Sequence, residues 1–218
     1  MEIQLRQGIK FDDPQKVIIS YWEREWGFRD YDKTRLPENN SFTEEQIRLV
    51  IQASNKLKAR IPYKNEDKVI KPILQKKNEI ESELALIPND VNILDDYEKI
   101  PWEYVKSLLN IFSIKYLGLA RKTKILHKKR PNIIPILDSI LESRYCVPIL
   151  KAKNLYAIEE AERAINCIKE LKEDIDMNRD TLLNLQQSLE SKDYGIYDTS
   201  ILRLLDILIW SHFKRSKA

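Results

Sequence analysis

The sequence predicts an all-α protein with a single domain. Of the 218 residues, 33% are charged and 43% are hydrophobic, a balance typical of amphipathic helices around one core. Only four residues are glycine, which disfavours β-sandwiches and Rossmann folds, since these need glycine at many turns. Apolar residues recur at intervals of three and four, the period of a helix with one buried face. We expect one domain over residues 1–218, made of an N-terminal helical part (1–100), a central unit (101–146) and C-terminal helices (147–218).

The N-terminal part begins with a well-marked helix. Asp13 is a suitable N-cap, and Pro14 fits the first helical position, where its missing N–H is not needed. Gly27 is predicted to end this helix, and residues 28–40 are predicted to form a loop. Aromatic and arginine side chains alternate over residues 21–35, a mixture that can stack on nucleic-acid bases or pack in the core.

A second helix is predicted to begin at Thr43. Thr43 and Gln46 have the spacing of a capping box, in which each side chain accepts a hydrogen bond from the other residue's backbone N–H. Pro62 is predicted to end this helix. Two further helical pieces over residues 67–86, followed by a turn at 88–90, complete the N-terminal part.

The central unit is predicted to contain two helices joined by a turn at Gly118. The first helix follows Pro101, and the second runs from the turn to the region of Arg130. Two helices joined by a glycine-containing turn form a helix-hairpin-helix-like unit in outline. Two prolines then enclose an extended stretch, after which Asp138 and Ser139 begin another helix.

The C-terminal part is predicted to consist of a helical hairpin and a buried last helix. Residues 154–174 and 180–191 each carry an apolar stripe, which predicts two helices packed side by side. Residues 198–213 are apolar on nearly every side, which is typical of a helix at the centre of a core.

The last helix carries one acidic residue that needs a partner. Asp206 lies among leucine and isoleucine residues, and an unpaired buried charge is strongly unfavourable. Arg203 lies three residues earlier on the same side and Trp210 four residues later, so an ion pair or a hydrogen-bonded anchor is expected. An alternative role for Asp206 is to orient His127 at a site.

The central unit concentrates positive charge. Between Glu103 and Asp138 there are eight basic residues and no acidic one, in a chain with a net charge of only +3. Such an excess suits phosphate binding, where each neutralised phosphate releases counterions. Helical spacing places Arg121, Lys124 and Lys128 on a face separate from the apolar positions. The alternative is a solvated face offset by the acidic residues of 79–98. The candidate nucleic-acid-binding residues are Lys115, Gly118, Arg121, Lys122, Lys124, His127, Lys128, Lys129 and Arg130.

Three segments resemble an uncharacterised bacterial family. They are KILHKKRP (124–131), IPILDS (134–139) and SILRLLDILIW (200–210). Members of that family share segments of the types KxLHxKRPxLIPxLDS and SxLRxLDxxxW. The resemblance implies no function, because none is established for that family.

A second resemblance is to helix-hairpin-helix DNA glycosylases, in which a GxG hairpin precedes a catalytic aspartate. Gly118 matches the second hairpin glycine, and Asp138 matches the aspartate. The resemblance implies that Asp138 stabilises an oxocarbenium-like centre or activates water. Tyr116 replaces the first glycine and Ala120 the nucleophilic lysine of bifunctional members, so lyase chemistry is not expected. The alternative role for Asp138 is a helix N-cap.

Several kinds of site are not predicted. Cys146 and Cys167 lack metal-binding spacing, and His127 and His212 are too few for a metal site, so no metal and no cofactor is expected. No signal peptide is visible, and residues 201–210 are too few to span a bilayer. We therefore expect a cytoplasmic protein with no membrane partner.

Three hypotheses for the function remain. The leading one is nucleic-acid binding, with DNA favoured, through the basic helix-hairpin-helix-like face. The first alternative is a monofunctional DNA glycosylase-like hydrolase that uses Asp138. The second is a helical protein-interaction module whose hairpin, residues 154–191, docks a protein partner. The sequence leaves open whether the protein is an enzyme.

Overall fold

Helices make up most of the regular structure, as the scarcity of glycine and the amphipathic periodicity predict. The computed structural model describes residues 2–37, 39–56, 66–191 and 199–215. The helices are α1 (Pro14–Arg24), α2 (Trp26–Lys33), α3 (Glu44–Lys56), α4 (Asp67–Gln75), α5 (Lys77–Ala85), α6 (Trp102–Ile111), α7 (Leu119–His127), α8 (Val147–Ala152), α9 (Glu160–Met177), α10 (Arg179–Ser191) and α11 (Ile201–Arg215). The all-α prediction is confirmed.

Two predicted helix starts are capped by side chains. An Asp13 carboxylate oxygen accepts a hydrogen bond from the Lys16 backbone N–H at 3.0 Å, ahead of α1. Before α3, the Thr43 hydroxyl accepts from the Gln46 N–H at 3.2 Å, and the Gln46 side chain accepts from the Thr43 N–H at 3.4 Å. This is the reciprocal pattern of a capping box, so the local sequence alone sets these two starts.

The predicted loop over residues 28–40 is partly wrong, because α2 continues the chain as a helix past Gly27. Glu25 has non-helical dihedral angles (φ −105°, ψ 63°), and the chain bends there between α1 and α2. Tyr31 then points into the core, where its hydroxyl donates to the Lys124 carbonyl at 2.7 Å. Tertiary burial of Tyr31 thus stabilises a helix that glycine at position 27 disfavours locally.

A small β-hairpin precedes α1, and the sequence analysis missed it. Strands β1 (Ile3–Leu5) and β2 (Ile9–Phe11) pair antiparallel, with Leu5 opposite Ile9. Three residues, Arg6 to Gly8, connect the strands, and Gln7 and Gly8 have the left-handed φ values of 66° and 70° that let the chain reverse in so short a loop. Alternating apolar residues on both sides of Gln7-Gly8 were the signal for it.

The first helix of the predicted C-terminal hairpin begins later than expected, at Glu160 rather than near Asn154. Asn154 adopts a left-handed φ of 57°, and the Leu155 N–H donates to the Leu150 carbonyl at 2.8 Å. That bond closes the end of α8 in the manner of a C-cap motif, so the chain must leave the helical path there.

Helix α11 occupies the centre of the protein. Its residues from Ile201 to Ile209 are all buried, and it contacts α1, α9, α10 and the π-helical segment Leu141–Cys146. The predicted buried C-terminal helix is therefore present. Its predicted start at residue 198 lies outside the described residues, as does the predicted end of α3 at Pro62.

The two helices of the central unit pack on different neighbours. Helix α6 packs mainly on α5 and α9, whereas α7 packs on α3. In the connecting turn the left-handed residue is Tyr116 (φ 73°), and Gly118 has an ordinary extended conformation (φ −69°, ψ 169°). Residues 101–146 thus do not form a hairpin in which α6 and α7 pack chiefly on each other.

Candidate functional site

The basic residues in and just after α7 lie mostly inside the protein and not on an open helix face. Lys122, Lys124, Lys129 and Arg130 are each at most 6% exposed. Helix α3 covers one side of α7, and the extended segment 131–137 covers another. That segment is held by bonds from the Leu137 N–H to the Thr123 hydroxyl (3.1 Å) and between a His127 ring nitrogen and the Ile134 carbonyl (2.6 Å).

Several of these buried cations are structural ties. The Lys122 ammonium contacts a Glu160 carboxylate oxygen at 2.5 Å, which links α7 to α9. The Arg130 guanidinium donates to the backbone carbonyls of Ile87 (2.7 Å) and Leu84 (2.6 Å). The acidic stretch 79–98 therefore contacts Arg130 through backbone carbonyls, which are neutral. These contacts do not neutralise the positive charge of Arg130.

Four cations at and just after the end of α7 make no close ion pair with the described residues. Within the described parts of the chain, no carboxylate oxygen lies within 4.0 Å of the charged groups of Lys124, Lys128, Lys129 or Arg130. Burial lowers the pKa of Lys124 to about 8, of Lys128 to about 7 and of Lys129 to about 8. An anion placed here would restore the charged form of these amines.

A recess of about 450 Å³ opens beside these residues. We call it the basic cavity; its charged lining consists of the cations Arg35, Lys128, Lys129 and Arg203 and the carboxylates Asp32 and Glu190. It lies where α2 and α7 end, beside α10 and the start of α11. The described lining thus has four cations against two carboxylates.

Lys128 is the most weakly compensated cation of the basic cavity. Its ammonium lies 3.9 Å from the centre of the Tyr31 ring and makes no hydrogen bond to the described residues. Burial is the main cause of its lowered pKa; Asp32 opposes that shift, and the neighbouring Arg203 and Arg35 add to it. Because Lys128 is only half-buried, part of its side chain remains accessible to an anion in the recess.

The floor of the basic cavity is a buried ion-pair network. Arg203 donates to both carboxylate oxygens of Asp32, at 2.9 and 3.0 Å, and to the Tyr21 hydroxyl at 2.7 Å. Arg203 also pairs with Asp206. Burial nevertheless raises the pKa of Asp206 to about 7, against the lowering effect of Arg203. Trp210 packs edge-on against Tyr21, with ring centres 5.5 Å apart.

A family model described as Family of unknown function (DUF6308) matches residues 21–213. The chain belongs to this family. The membership of an uncharacterised family that the sequence predicted is thereby confirmed. No curated protein and no solved structure matches the chain. The DUF6308 match includes every residue that lines the basic cavity.

Two of the three family segments recognised in the sequence contribute residues to this cavity. His127, Lys128 and Lys129 come from the first segment, and Ser200 and Arg203 come from the third. They are far apart along the chain, and the fold brings them to the lining of one cavity. His127 is neutral at neutral pH, since burial lowers its pKa to about 3.

Asp138 is placed elsewhere and has a structural partner. One of its carboxylate oxygens accepts the backbone N–H groups of Ile140 and Leu141, both at 2.9 Å, so Asp138 caps the adjoining helical segment. Glu142 pairs with Arg163 (2.9 Å). Asp138 is not among the residues that line the basic cavity.

The remaining sequence candidates lie near the start of α7, away from the basic cavity. Lys115 and Gly118 are exposed, and the Arg121 guanidinium donates to the Tyr116 carbonyl at 2.6 Å. Arg35 and Asp32 were not singled out as site residues from the sequence. The only signal for them was their place in the aromatic and arginine-rich run of residues 21–35.

Two kinds of feature are absent from the described residues. Among the described residues, no group of three or more His, Cys, Asp and Glu is placed to hold a metal ion. In the same parts of the chain, no helix combines the length and the apolar character needed to cross a membrane.

Proposed function

We propose that the protein binds nucleic acid by holding phosphate groups at the basic cavity. The observation that carries the proposal is the excess of cations at this recess, above all Lys128, whose ammonium has no carboxylate within 4.0 Å among the described residues. Arg35 is exposed at the rim and Lys128 is half-buried, so both are within reach of a ligand.

Charge complementarity supports phosphate as the bound group. Each phosphate that enters releases counterions from the nucleic acid and supplies the negative charge that Lys128 and Lys129 lack. Thr199 and Ser200, just before α11, also line the recess, and the partial positive charge of a helix N-terminus favours a nearby anion.

The proposed binding site is a compact recess rather than a long basic face along α7. Lys122 and Arg130 hold other elements in place and are not offered to a ligand, and the Lys129 ammonium is tied to Asn39 and Gln46, so Lys128 is the lysine of the cavity that is open to a ligand. No specific contact favours base hydrolysis by Asp138, whose carboxylate caps a helix. The α9 stripe that motivated a protein-interaction module, including Ile165 and Ile168, is buried in the core.

The experiment is a salt titration of binding to labelled single-stranded, duplex and branched DNA, followed by fluorescence anisotropy. For single strands, each phosphate contact contributes a slope of about −0.7 in log K against log salt. Lys128→Gln and Arg35→Gln should each weaken binding and reduce the slope by roughly one such contact. Lys71→Gln, an equal charge change at an exposed site outside the cavity, should leave both unchanged.

The pH dependence of binding supplies an independent check. Because Lys128 has a pKa of about 7, a bound phosphate should draw a proton onto it, and affinity should fall as pH rises above 7. Absence of binding to every DNA, or binding that Lys128→Gln and Lys71→Gln reduce equally, would reject the proposal.

A further inference from the structure

We infer that the basic cavity binds the aldehyde group of a sugar phosphate covalently, as an imine with the Lys128 amine. The inference rests on the proposed function for the phosphate, which the same recess holds, and adds a chemical step to it. Three observations carry it: the place of Lys128 in the cavity, the lack of an ion-pair partner for its nitrogen among the described residues, and a carboxylate in the lining that can transfer a proton.

Lys128 differs from the other lysine of the cavity in what its nitrogen contacts. The Lys129 ammonium donates to the Asn39 carbonyl (3.3 Å) and to the Gln46 side chain (3.2 Å). The Lys128 nitrogen instead lies 3.9 Å from the centre of the Tyr31 ring, and the described residues offer it neither a hydrogen bond nor a carboxylate oxygen within 4.0 Å. In its neutral form this amine has a lone pair that can attack a carbonyl carbon.

The surroundings of Lys128 supply that neutral form. Burial in the recess lowers the pKa of Lys128 to about 7, Arg203 and Arg35 add to the lowering, and Asp32 opposes it. Near pH 7 the charged and neutral forms are therefore present in comparable amounts, whereas a lysine of ordinary pKa is neutral in about one copy in a thousand or fewer. Desolvation and neighbouring cations are the means by which a lysine becomes a nucleophile toward carbonyl compounds.

The covalent step balances without an oxidant or a reductant. The Lys128 nitrogen attacks the aldehyde carbon with its lone pair, the C=O electrons move to the oxygen, and a proton passes from nitrogen to oxygen. The resulting carbinolamine loses its hydroxyl group as water while the nitrogen lone pair forms the C=N bond. The protonated imine keeps one positive charge, so a phosphate on the same sugar stays attracted to it.

The lining also contains a carboxylate for the proton transfer. Loss of water from the carbinolamine is faster when a nearby group donates a proton to the leaving hydroxyl. Glu190 lines the cavity, is exposed, and makes no hydrogen bond or ion pair within the described ranges. Both Asp32 carboxylate oxygens, in contrast, accept hydrogen bonds from Arg203. Glu190 is therefore the carboxylate of the lining that can carry this proton.

The size of the cavity suits one sugar phosphate. Its volume of about 450 Å³ lies within the range of small-molecule sites, roughly 300–1,000 Å³. An aldehyde next to a phosphate comes from two sources: a free sugar phosphate, or a sugar within a strand that has lost its base and opened its ring. The two sources share the chemistry that Lys128 would recognise, and the experiment separates them.

The test is reductive trapping of the full chain at pH 7. Cyanoborohydride delivers hydride to the imine carbon and converts the imine to a stable secondary amine, which mass spectrometry of proteolytic peptides locates. The probes are glyceraldehyde 3-phosphate and a single-stranded DNA with one abasic sugar. We expect Lys128 to be labelled at least about tenfold faster than the exposed Lys71, because more of its amine is neutral.

Matched controls separate this reaction from general lysine reactivity. Lys128→Arg keeps a cation but has no amine that forms an imine, so the adduct at this position should disappear. Lys71→Arg, the same change at an exposed site, should leave the labelling of Lys128 unchanged. A strand whose abasic sugar has been reduced to the alcohol should give no adduct. Peptide mapping of the wild type locates the adduct whether or not Lys128→Arg folds.

Two further measurements test the parts of the site. Glyceraldehyde without its phosphate should label Lys128 about tenfold more slowly than the phosphorylated probe, a difference of about 1.4 kcal/mol. Glu190→Gln should lower the labelling rate at saturating probe by about tenfold or more, with little change in the probe concentration that gives half of the maximal rate. Equal labelling by both forms of glyceraldehyde would overturn the assignment to sugar phosphates.

The outcomes separate this inference from the proposed function. If DNA binding depends on salt and on Lys128 but neither probe labels Lys128 faster than Lys71, the inference fails and the proposed function stands. If glyceraldehyde 3-phosphate labels Lys128 selectively but no strand binds or reacts, the inference stands with a free sugar phosphate as the ligand, and the proposed function fails. Selective labelling by the abasic strand alone supports both.

Discussion

Lys128 shows how one residue can link a stability cost to a binding role. Its ammonium is half-buried over the Tyr31 ring, and burial lowers its pKa to about 7 from the ordinary 10.5. A charge held without a counter-ion destabilises the fold, so a residue of this kind is retained where it serves a ligand. Structural cations of the same segment, such as Arg130, instead satisfy backbone carbonyls.

Replacing Lys128 with methionine should stabilise the protein while weakening its binding of phosphate. Methionine keeps the apolar stem against Tyr31 and removes the buried charge, so we expect the melting temperature to rise by about 2–4 °C for each kcal/mol gained. The measurement is thermal unfolding followed by circular dichroism, with Lys71→Met as the control at an exposed site.

The pH dependence of this effect has a defined sign. Between pH 7 and 10.5 the unfolded state binds more protons at Lys128 than the folded state does. The unfolding free energy of the wild type therefore increases as the pH rises through this range. The gain in unfolding free energy of the methionine variant over the wild type should be largest at about pH 6 and smaller at about pH 9. An equal advantage at both values would show that charge burial is not its cause.

At the scale of elements, α7 is held by the residues just beyond its C-terminal end as much as by its own sequence. Arg130 lies just after the helix and bonds to the carbonyls of Leu84 and Ile87, at and past the end of α5. Lys129 donates to the Asn39 carbonyl (3.3 Å) and the Gln46 side chain (3.2 Å), which ties the same point to the start of α3. These bonds fix the end of α7 and, with it, the position of Lys128.

Arg130→Gln should destabilise the fold. The shorter neutral side chain cannot reach both buried carbonyls, and each buried polar group left without a partner costs about 1–3 kcal/mol. We expect urea unfolding to show a lower midpoint, corresponding to a loss of at least about 1–3 kcal/mol of unfolding free energy. Arg24→Gln, at an exposed position, is the control and should leave the midpoint unchanged. A midpoint equal to that of the wild type would mean that Arg130 does not brace α7.

At the scale of the whole molecule, Arg203 joins the two ends of the chain. It lies on α11 and bonds to Tyr21 on α1 and to Asp32 on α2. The same guanidinium forms part of the floor of the basic cavity. The packing of the N-terminal helices on the C-terminal helix therefore also shapes the candidate site.

Arg203→Gln should cost about 3–5 kcal/mol of unfolding free energy, because it leaves Asp32 buried without its partner. The double variant Asp32→Asn with Arg203→Gln should recover part of that loss, since both charges are then removed. Urea unfolding of the wild type, both single variants and the double variant measures the coupling. If the two single losses simply add, the buried ion pair is not what couples these helices.

The sequence by itself determined the elements whose signals are local: the capped starts at Asp13 and Thr43, the largely apolar α11, and the family segments. It also located the positive charge, because basic residues without acidic neighbours are visible in the chain. Only the tertiary structure decided which cations are buried ties and which line a cavity, and it added Arg35 and Asp32 to Lys128. The reason is physical: helix caps and helical periodicity act over a few residues, whereas burial and charge pairing depend on segments that are distant in the chain and meet only in the folded protein.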